Sequence, residues 1–357
     1  MAALNGPQRA SIIGTGLIGG SIGLALRACG WHVTGTDLDP ECEKRALEIG
    51  VVDAIGIDPD ACIAFVAAPV RSIPGQVRRA LAETSGVVTD VGSVKSSVVA
   101  DVADARFVGG HPMAGSEQLG VDGATPDLFE GAVWVLTPVA GTDSDHYATV
   151  AAVVRLLGAE VVALEPERHD TLVAVVSHVP HLTAAALMGI ADERAGEHAA
   201  LLRLAAGGFR DMTRIAAGTP TIWPDICGEN QGAIVEVIDR LTDELGRLRA
   251  MVADGSRDEL LAALERAQAA RRNLPNRVTR PEEVAEVRVP VPDRDGVIAE
   301  VATLASELSI NIADIEVAHS SEGDRGVLIL LVDTARAEAF RVGLASRGYR
   351  PAVQYLR

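Results

Sequence analysis

The chain has 357 residues, 48% of them apolar, too long for one ordinary domain and rich enough for two or three packed cores. Thirty-two basic against 49 acidic residues give a net charge of −17, a field that repels nucleic acid and anionic membranes and obliges any anion site to carry its own Arg or His. Cys29, Cys42, Cys62 and Cys227 show no CxxC spacing, so no zinc site or disulfide framework is expected. No uninterrupted apolar run reaches the ~18 residues of a bilayer span, and the N-terminus lacks a basic-then-apolar leader, so a cytoplasmic protein is expected.

In chain order, residues 10–15 read as a short buried strand, followed by glycines and an apolar helix to about Cys29. WHVTGTD is a second strand ending at Asp37. Further strands are expected at 61–69, 86–93, 105–112, 132–138 and 159–164, with a helix near 146–157 and a less regular unit around 50–57. Strands alternating with helices over 8–165 predict an α/β, Rossmann-type, doubly wound and mostly parallel sheet.

From 166 to 275 the strand pattern vanishes. Ile234, Val237, Ile238, Leu241, Leu245, Leu248 and Met251 recur at helical spacing, predicting a long helix ending near Gly255 and then a second helix over 257–272. This is an all-helical domain, and its stripe reads as a core or a dimer seam. A charged, proline-bearing linker follows. Over 284–357 the order strand, helix, strand, strand, helix, strand is the ferredoxin-like βαββαβ layout.

Gly14-Thr15-Gly16-Leu17-Ile18-Gly19 stands between the first strand and the first helix. Gly14 permits the tight turn, Gly16 lets backbone approach a pyrophosphate, and Gly19 lets helix pack on strand. The free N–H groups and positive dipole of the helix start favour the anion. Asp37, 23 residues past Gly14, would accept both ribose hydroxyls of NAD and repel a 2′-phosphate. No Arg lies in Thr36-Asp37-Leu38-Asp39, so NAD is expected over NADP.

Three clusters carry the chemistry. Asp90-Val91-Gly92-Ser93-Val94-Lys95 and Gly110-His111-Pro112-Met113-Ala114-Gly115-Ser116-Glu117 each follow a strand, and so emerge at the carboxyl edge of the sheet where ligands bind. The third is helical: Ser177-His178-Val179-Pro180-His181, then Gly208-Phe209-Arg210-Asp211-Met212-Thr213-Arg214, then Trp223. Ser93 also fits a helix N-cap. His178 and His181 share a helical face but lack an acidic partner or third ligand, so no metal is assigned. Arg210 and Arg214, four apart, would present two cations on one face. Thirty of the 32 basic residues are Arg; of the two Lys, Lys44 and Lys95, the second sits in the DVGSVK cluster, where a compact ammonium beside the cofactor is expected.

Together GxGxxGGS, DVGSVK, GGHPMAGSE, SHVPH and GGFRDMTRIA…IW resemble the prephenate dehydrogenase family of tyrosine biosynthesis over about residues 10–275, and the last segment resembles an ACT domain, an amino-acid-sensing module. The resemblance implies NAD-dependent oxidative decarboxylation of prephenate to 4-hydroxyphenylpyruvate, with His111 meeting the substrate hydroxyl and Ser93 orienting it and the nicotinamide end. It implies that Arg214 holds a substrate carboxylate, His181 is a second substrate-side histidine, and Glu117, Arg210, Asp211 and Trp223 line or support the pocket. It further implies a homodimer through the helical domain, and an aromatic amino-acid effector near Asp293, Asp295, Gly296, Asn311 and Ile312. Two alternatives stand beside it: an arogenate dehydrogenase giving tyrosine directly, with Glu117 meeting the amine, and a non-catalytic NAD- and amino-acid-binding regulator. β-Hydroxyacid dehydrogenases use a Lys in the helical domain, and this one has none.

Overall fold

The computed structural model describes residues 8–115, 118, 120–195, 205–272, 284–292, 294–319 and 325–355. They form two compact units, Met1–Ile190 with Thr213–Thr242, and Ala191–Met212 with Asp243–Arg357.

The first unit holds eight strands: β1 (Arg9–Ile13), β2 (His32–Thr36), β3 (Ala54–Ile55), β4 (Ile63–Val66), β5 (Val87–Asp90), β6 (Phe107–Pro112), β7 (Val133–Thr137) and β8 (Glu160–Ala163). Their order is β3-β2-β1-β4-β5-β6-β7-β8. Between them run α1 (Leu17–Ala28), α2 (Pro40–Glu48), α3 (Ile73–Glu83), α4 (Ser96–Asp101) and α5 (Ser144–Leu156). Every neighbouring pair is parallel except β6 with β7. That exception follows from the chain between them: a parallel pair needs a crossover, usually helical, and residues 113–132 supply only the short 3₁₀ turn Val121–Gly123.

Adjacent strand residues face opposite sides of the sheet. Ile12, Phe65 and Val87 join one apolar layer with Ile22, Leu26 and Trp134, while Ile13, Val66 and Val88 join the other with Ile73, Val77 and Phe107. Burial on both faces is why these strands read as continuous apolar runs. The strand order reverses between β1 and β4, opening the crevice at their carboxyl ends where nucleotides bind in such sheets.

After β8 come α6 (Pro166–Val173), a π-helical turn (Ala174–His178) and α7 (Val179–Ala195). Pro180 lies in the first turn of α7 and has no N–H to give an i−4 carbonyl, which explains the wider turn before it. By length and composition the stretch Pro166–Glu193 is apolar enough to cross a membrane, with mean hydropathy 1.6 over 18 residues. The absence of an uninterrupted apolar run did not anticipate it. Yet its His169, Asp170 and His178 are buried in polar contacts within this unit, as befits a core helix.

Then follow α8 (Gly207–Thr213), α9 (Trp223–Glu229), α10 (Gln231–Asp254) and α11 (Arg257–Arg272). The long helix stops where expected: Gly255 adopts φ +67°, the left-handed cap that glycine favours. Of its apolar stripe, Ile234 is buried with Ala174 and Val179, whereas Ile238 and Leu245 are exposed.

In the second unit β9 (Val284–Pro292), α12 (Val297–Glu307), β10 (Ile312–His319), β11 (Arg325–Asp333), α13 (Thr334–Ser346) and β12 (Ala352–Tyr355) follow the βαββαβ order. The antiparallel sheet runs β10-β11-β9-β12. Val287, Val289, Leu328 and Leu330 pack beneath Val301, Leu304, Phe340 and Leu344 of the two helices.

Candidate active site

The nucleotide turn fits its proposed ligand in backbone detail. Gly14 has φ +97°, and a Cβ there would stand 2.1 Å from the Ala67 carbonyl oxygen, which follows β4. At Gly19 a Cβ would stand 1.9 Å from the Gly14 carbonyl, so only glycine lets α1 pack on this turn. At Gly16 a Cβ would meet nothing within 4 Å; this glycine faces open space, where a pyrophosphate needs close backbone approach. Thr15, Leu17 and Ile18 complete the turn, and the first turn of α1 carries no acidic side chain to compete for the helix dipole. At the end of β2, Asp37 accepts the Thr15 N–H at 2.7 Å and the Asp39 N–H at 3.1 Å. Glu43 of α2 secures that corner, accepting the Asp37 N–H at 2.9 Å and the Thr36 hydroxyl at 2.6 Å. These residues suit a dinucleotide, whose ribose Asp37 would hold.

At the carboxyl ends of β5 and β6 the DVGSVK and GGHPMAGSE segments are fastened together. Asp90 accepts the Gly92 N–H at 2.9 Å and the Gly110 N–H at 3.0 Å. Lys95 is fully buried; its ammonium bonds to the Asp90 carboxylate and, at 2.7 Å, to the Gly110 carbonyl. Burial lowers its pKa, an effect Asp90 opposes. Lys95 therefore bonds strand ends to one another rather than offering an ammonium to a cofactor, contrary to the sequence expectation. Ser93 is half-buried in the loop between these two residues. It is not a helix N-cap: α4 begins at Ser96, and the carboxylate of Asp170 caps it from α6, accepting the Lys95 and Ser96 N–H groups at 2.8 Å each.

His111 lies inside β6, paired with Val135, and is only 9% exposed. Its Nδ1 is 2.8 Å from Nε2 of His169, and Nδ1 of His169 is 2.8 Å from Asp170. The two rings meet edge to face, centroids 5.1 Å apart. Burial, with His169, Lys95 and His178 nearby, holds the His111 pKa well below the ordinary histidine range. Burial also opposes ionisation of Asp170, but hydrogen bonds from His169, Ser96 and Lys95 outweigh it and its pKa is lowered. Next to this cluster Asn230, following α9, donates to the Asp170 carbonyl at 2.8 Å and lies 3.2 Å from Nδ1 of His178. Burial lowers the His178 pKa to about 4. Its Nε2 is buried without a partner.

His181 stacks on Trp223, centroids 3.6 Å apart and planes at 11°, and Trp223 meets His178 edge-on at 6.2 Å. Burial lowers the His181 pKa. Trp223 and Ile226 pack against the apolar layer of Ile13, Val66, Val70 and Val94, which brings this histidine pair to the same sheet edge. The structure thus unites His111, His178, His181 and Trp223 with three residues that sequence reasoning missed: His169, Asp170 and Asn230. His169-Asp170 had a faint signal, being one of only eight histidines in the chain, beside an acid, just past the last strand.

Other expected site residues are on different elements. Arg210 is exposed on α8 in the second unit, donating to the Ala205 carbonyl at 3.2 Å, with Asp211 exposed beside it. Arg214 is exposed in the first unit and opens a 3₁₀ turn, Arg214–Ala217. The two arginines do not share an α-helical face, because the helix ends at Thr213 between them. In the βαββαβ unit Asp295 and Gly296 precede α12, where Gly296 has φ +83°, and Asn311 precedes β10, which Ile312 opens. Glu117 and Asp293 lie outside the described residues. No cluster of metal-ligating side chains occurs among the described residues.

Comparison with known proteins accounts for this arrangement. Residues 22–163 match the model of the prephenate dehydrogenase nucleotide-binding domain, and 165–266 match that of the prephenate dehydrogenase dimerization domain. The prephenate dehydrogenase of Bacillus subtilis is 34% identical over 89% of this chain and 90% of its own length. The crystal structure of Aquifex aeolicus prephenate dehydrogenase in complex with hydroxyphenyl propionate and NAD+ superposes with TM-score 0.70 at 32% identity, over 75% of this chain and 98% of that one. Synechocystis arogenate dehydrogenase gives TM-score 0.63 at 30% identity, over 74% and 99%. With both domain models matched in order and relatives aligned over nearly their whole length, this chain belongs to the prephenate dehydrogenase family.

Proposed function

We propose that this protein is an NAD-dependent prephenate dehydrogenase. The observation that carries the reading is a buried histidine, kept neutral, at the carboxyl edge of a dinucleotide-binding sheet. Prephenate bears a hydroxyl at ring C4 and a carboxylate at C1. Its oxidation needs a group to take the hydroxyl proton as hydride leaves C4 and CO₂ leaves C1, and aromatisation supplies the driving force. NAD+, when bound, supplies the hydride acceptor. His111, neutral because it is buried, receives the hydroxyl proton. Ser93, in the loop held by Asp90 and Lys95, orients the reacting groups. Arg214 holds a substrate carboxylate with its planar two-pronged donor, and His181 with Trp223 closes the substrate side. Arg210 and Glu117 are assigned to substrate binding by the family resemblance. Gly14 to Gly19 and Asp37 hold the dinucleotide.

A second reading is supported by the likeness to an arogenate dehydrogenase: the same centre would oxidise arogenate, with Glu117 meeting its amine. Absorbance at 340 nm with NAD+ and each acid separately decides between them. NADH formation from neither acid would overturn the enzymatic reading.

The reading divides the chain at 8–165, 166–275 and 284–357. The middle part forms a homodimer, supported by the dimerization-domain match and by the exposed Ile238 and Leu245 on α10. The last part is an ACT-like sensor for an aromatic amino acid near Asp295, Gly296, Asn311 and Ile312, supported by its βαββαβ order. We place the enzyme in the cytoplasm, in keeping with its biosynthetic relatives.

A further inference from the structure

An imidazole that is to take a proton must present a nitrogen without one, and neutral histidine can carry its single proton on either ring nitrogen. The contacts behind His111 determine which. The Asp170 carboxylate accepts two backbone N–H bonds and has a lowered pKa, so it is ionised and can only accept. Nδ1 of His169, 2.8 Å from that carboxylate, must then carry its proton. Where His169 holds only that one proton, its Nε2 presents a lone pair 2.8 Å from Nδ1 of His111. Two lone pairs cannot face each other at that distance, so Nδ1 of His111 is the donor and its Nε2 is bare.

We propose that His169 and Asp170 are positioning residues that lock His111 in the Nδ1–H tautomer, so that Nε2 stands ready to accept the substrate hydroxyl proton; this deepens the dehydrogenase reading above and rests on it. In the reaction the hydroxyl proton goes to Nε2, the C4–H electron pair leaves as hydride to NAD+, and the C1–carboxylate pair enters the ring as CO₂ departs; the phenolate so formed then takes the proton back from Nε2 to give the phenol. His111 becomes an imidazolium, Nδ1–H stays in place, and its bond to His169 becomes charge-assisted. Asp170, one ring further on, supplies the compensating negative charge. The other groups facing this pair are already engaged: Lys95 with Asp90 beneath β6, and Asn230 with His178 on the helical side. Because Asp170 also caps α4 through the Lys95 and Ser96 N–H groups, one carboxylate positions both His111 and the loop bearing Ser93.

The test is ¹⁵N-histidine NMR of the full-length free enzyme, where two-bond ¹H–¹⁵N correlations report which ring nitrogen of His111 is protonated. The wild type is expected to show protonated Nδ1 and bare Nε2. His169→Ala should release His111 from that tautomer and lower kcat by roughly 10²–10⁴-fold, as for a base held in the wrong form, with KM for NAD+ changed less than about threefold. His169→Gln, whose side-chain carbonyl can accept from Nδ1–H, should recover at least roughly tenfold of the loss. A wild-type His111 protonated at Nε2 overturns the proposal, as does His169→Ala with unaltered tautomer and kcat. If the alanine variant fails to fold, the wild-type tautomer and the glutamine variant decide. The spectra need no substrate, so failure to oxidise prephenate and failure of the tautomer lock are separate results.

Discussion

Replacing Asp90 by Asn would leave a fully buried ammonium without its carboxylate. Both side chains of the Asp90–Lys95 pair are 0% exposed. Breaking a buried pair by removing one partner costs about 3–5 kcal/mol, because the remaining charge stays desolvated. After Asp90→Asn, Lys95 keeps the Gly110 carbonyl at 2.7 Å, a neutral partner. The reverse change is milder. Lys95→Met leaves the Asp90 carboxylate with the Gly92 and Gly110 N–H groups at 2.9 and 3.0 Å, so the loss should be nearer ~1–3 kcal/mol. Urea unfolding followed by tryptophan fluorescence is a suitable assay, since buried Trp134 lies in the layer above Gly110. With a slope of roughly 1–3 kcal/mol per molar urea, Asp90→Asn should lower the midpoint by about 1–5 M, and Lys95→Met by about half as much. The deficit of Asp90→Asn should also shrink as pH rises. Lys95 already has a folded pKa below its unfolded value of about 10.4, and removing Asp90 removes the carboxylate that opposes this shift, so the variant's folded state sheds the proton at lower pH than the wild type and gains more stability as pH rises. The reasoning is refuted if Asp90→Asn is the milder variant, or if its midpoint lies within about 0.3 M of the wild type.

His111→Asn should lower kcat by roughly 10²–10⁴-fold while NAD+ binding, read by calorimetry, is retained; full turnover would remove His111 from the chemistry. Arg214→Ala should raise KM for the dianionic substrate by roughly 10–100-fold, the loss of one charge-assisted bond, and an unchanged KM would deny the contact. Gly16→Ala should weaken NAD+ binding at little cost to stability, whereas Gly19→Ala should destabilise the fold by about 1–3 kcal/mol, since its Cβ collides with the Gly14 carbonyl; equal melting temperatures would contradict this. Buried His178 has a folded pKa of about 4 against an unfolded value of about 6.5, so stability is fully present above pH 6.5 and is lost as pH falls toward 4, by about 3 kcal/mol in all. A His178→Gln variant should lose less over that range; an identical pH slope would show that this histidine does not titrate with folding.

The nucleotide turn was legible because its requirements are local. Gly14 and Gly19 are demanded by contacts within one strand–turn–helix unit, and Asp37 by the end of the next strand. That His111 and Ser93 belong to one edge was legible from strands of a single parallel sheet. The helical residues were harder. PERHDTLV reads as an ordinary amphipathic helix, and nothing local reveals that Asp170 reaches across to cap α4 some 75 positions earlier. Lys95 attracted notice by its rarity, but only the fold shows its ammonium turned inward to Asp90. Arg210 and Arg214 have helical spacing on paper, yet α8 stops at Thr213, and spacing carries no information past a helix end. The reversal of β7 was invisible for a similar reason: a strand's apolar pattern is the same in either direction.

The π-helical turn at Ala174–His178 sets the phase of everything after it. In an α-helix each residue advances the azimuth by about 100°. Winding the same residues as plain α-helix, with none removed, would swing His178 and His181 together through roughly that angle, away from Asn230 and Trp223. The stretch from His169 to His181 therefore behaves as a ruler of fixed length between the sheet edge and the stacked tryptophan. Its winding, as much as its residue count, decides which way the two histidines face.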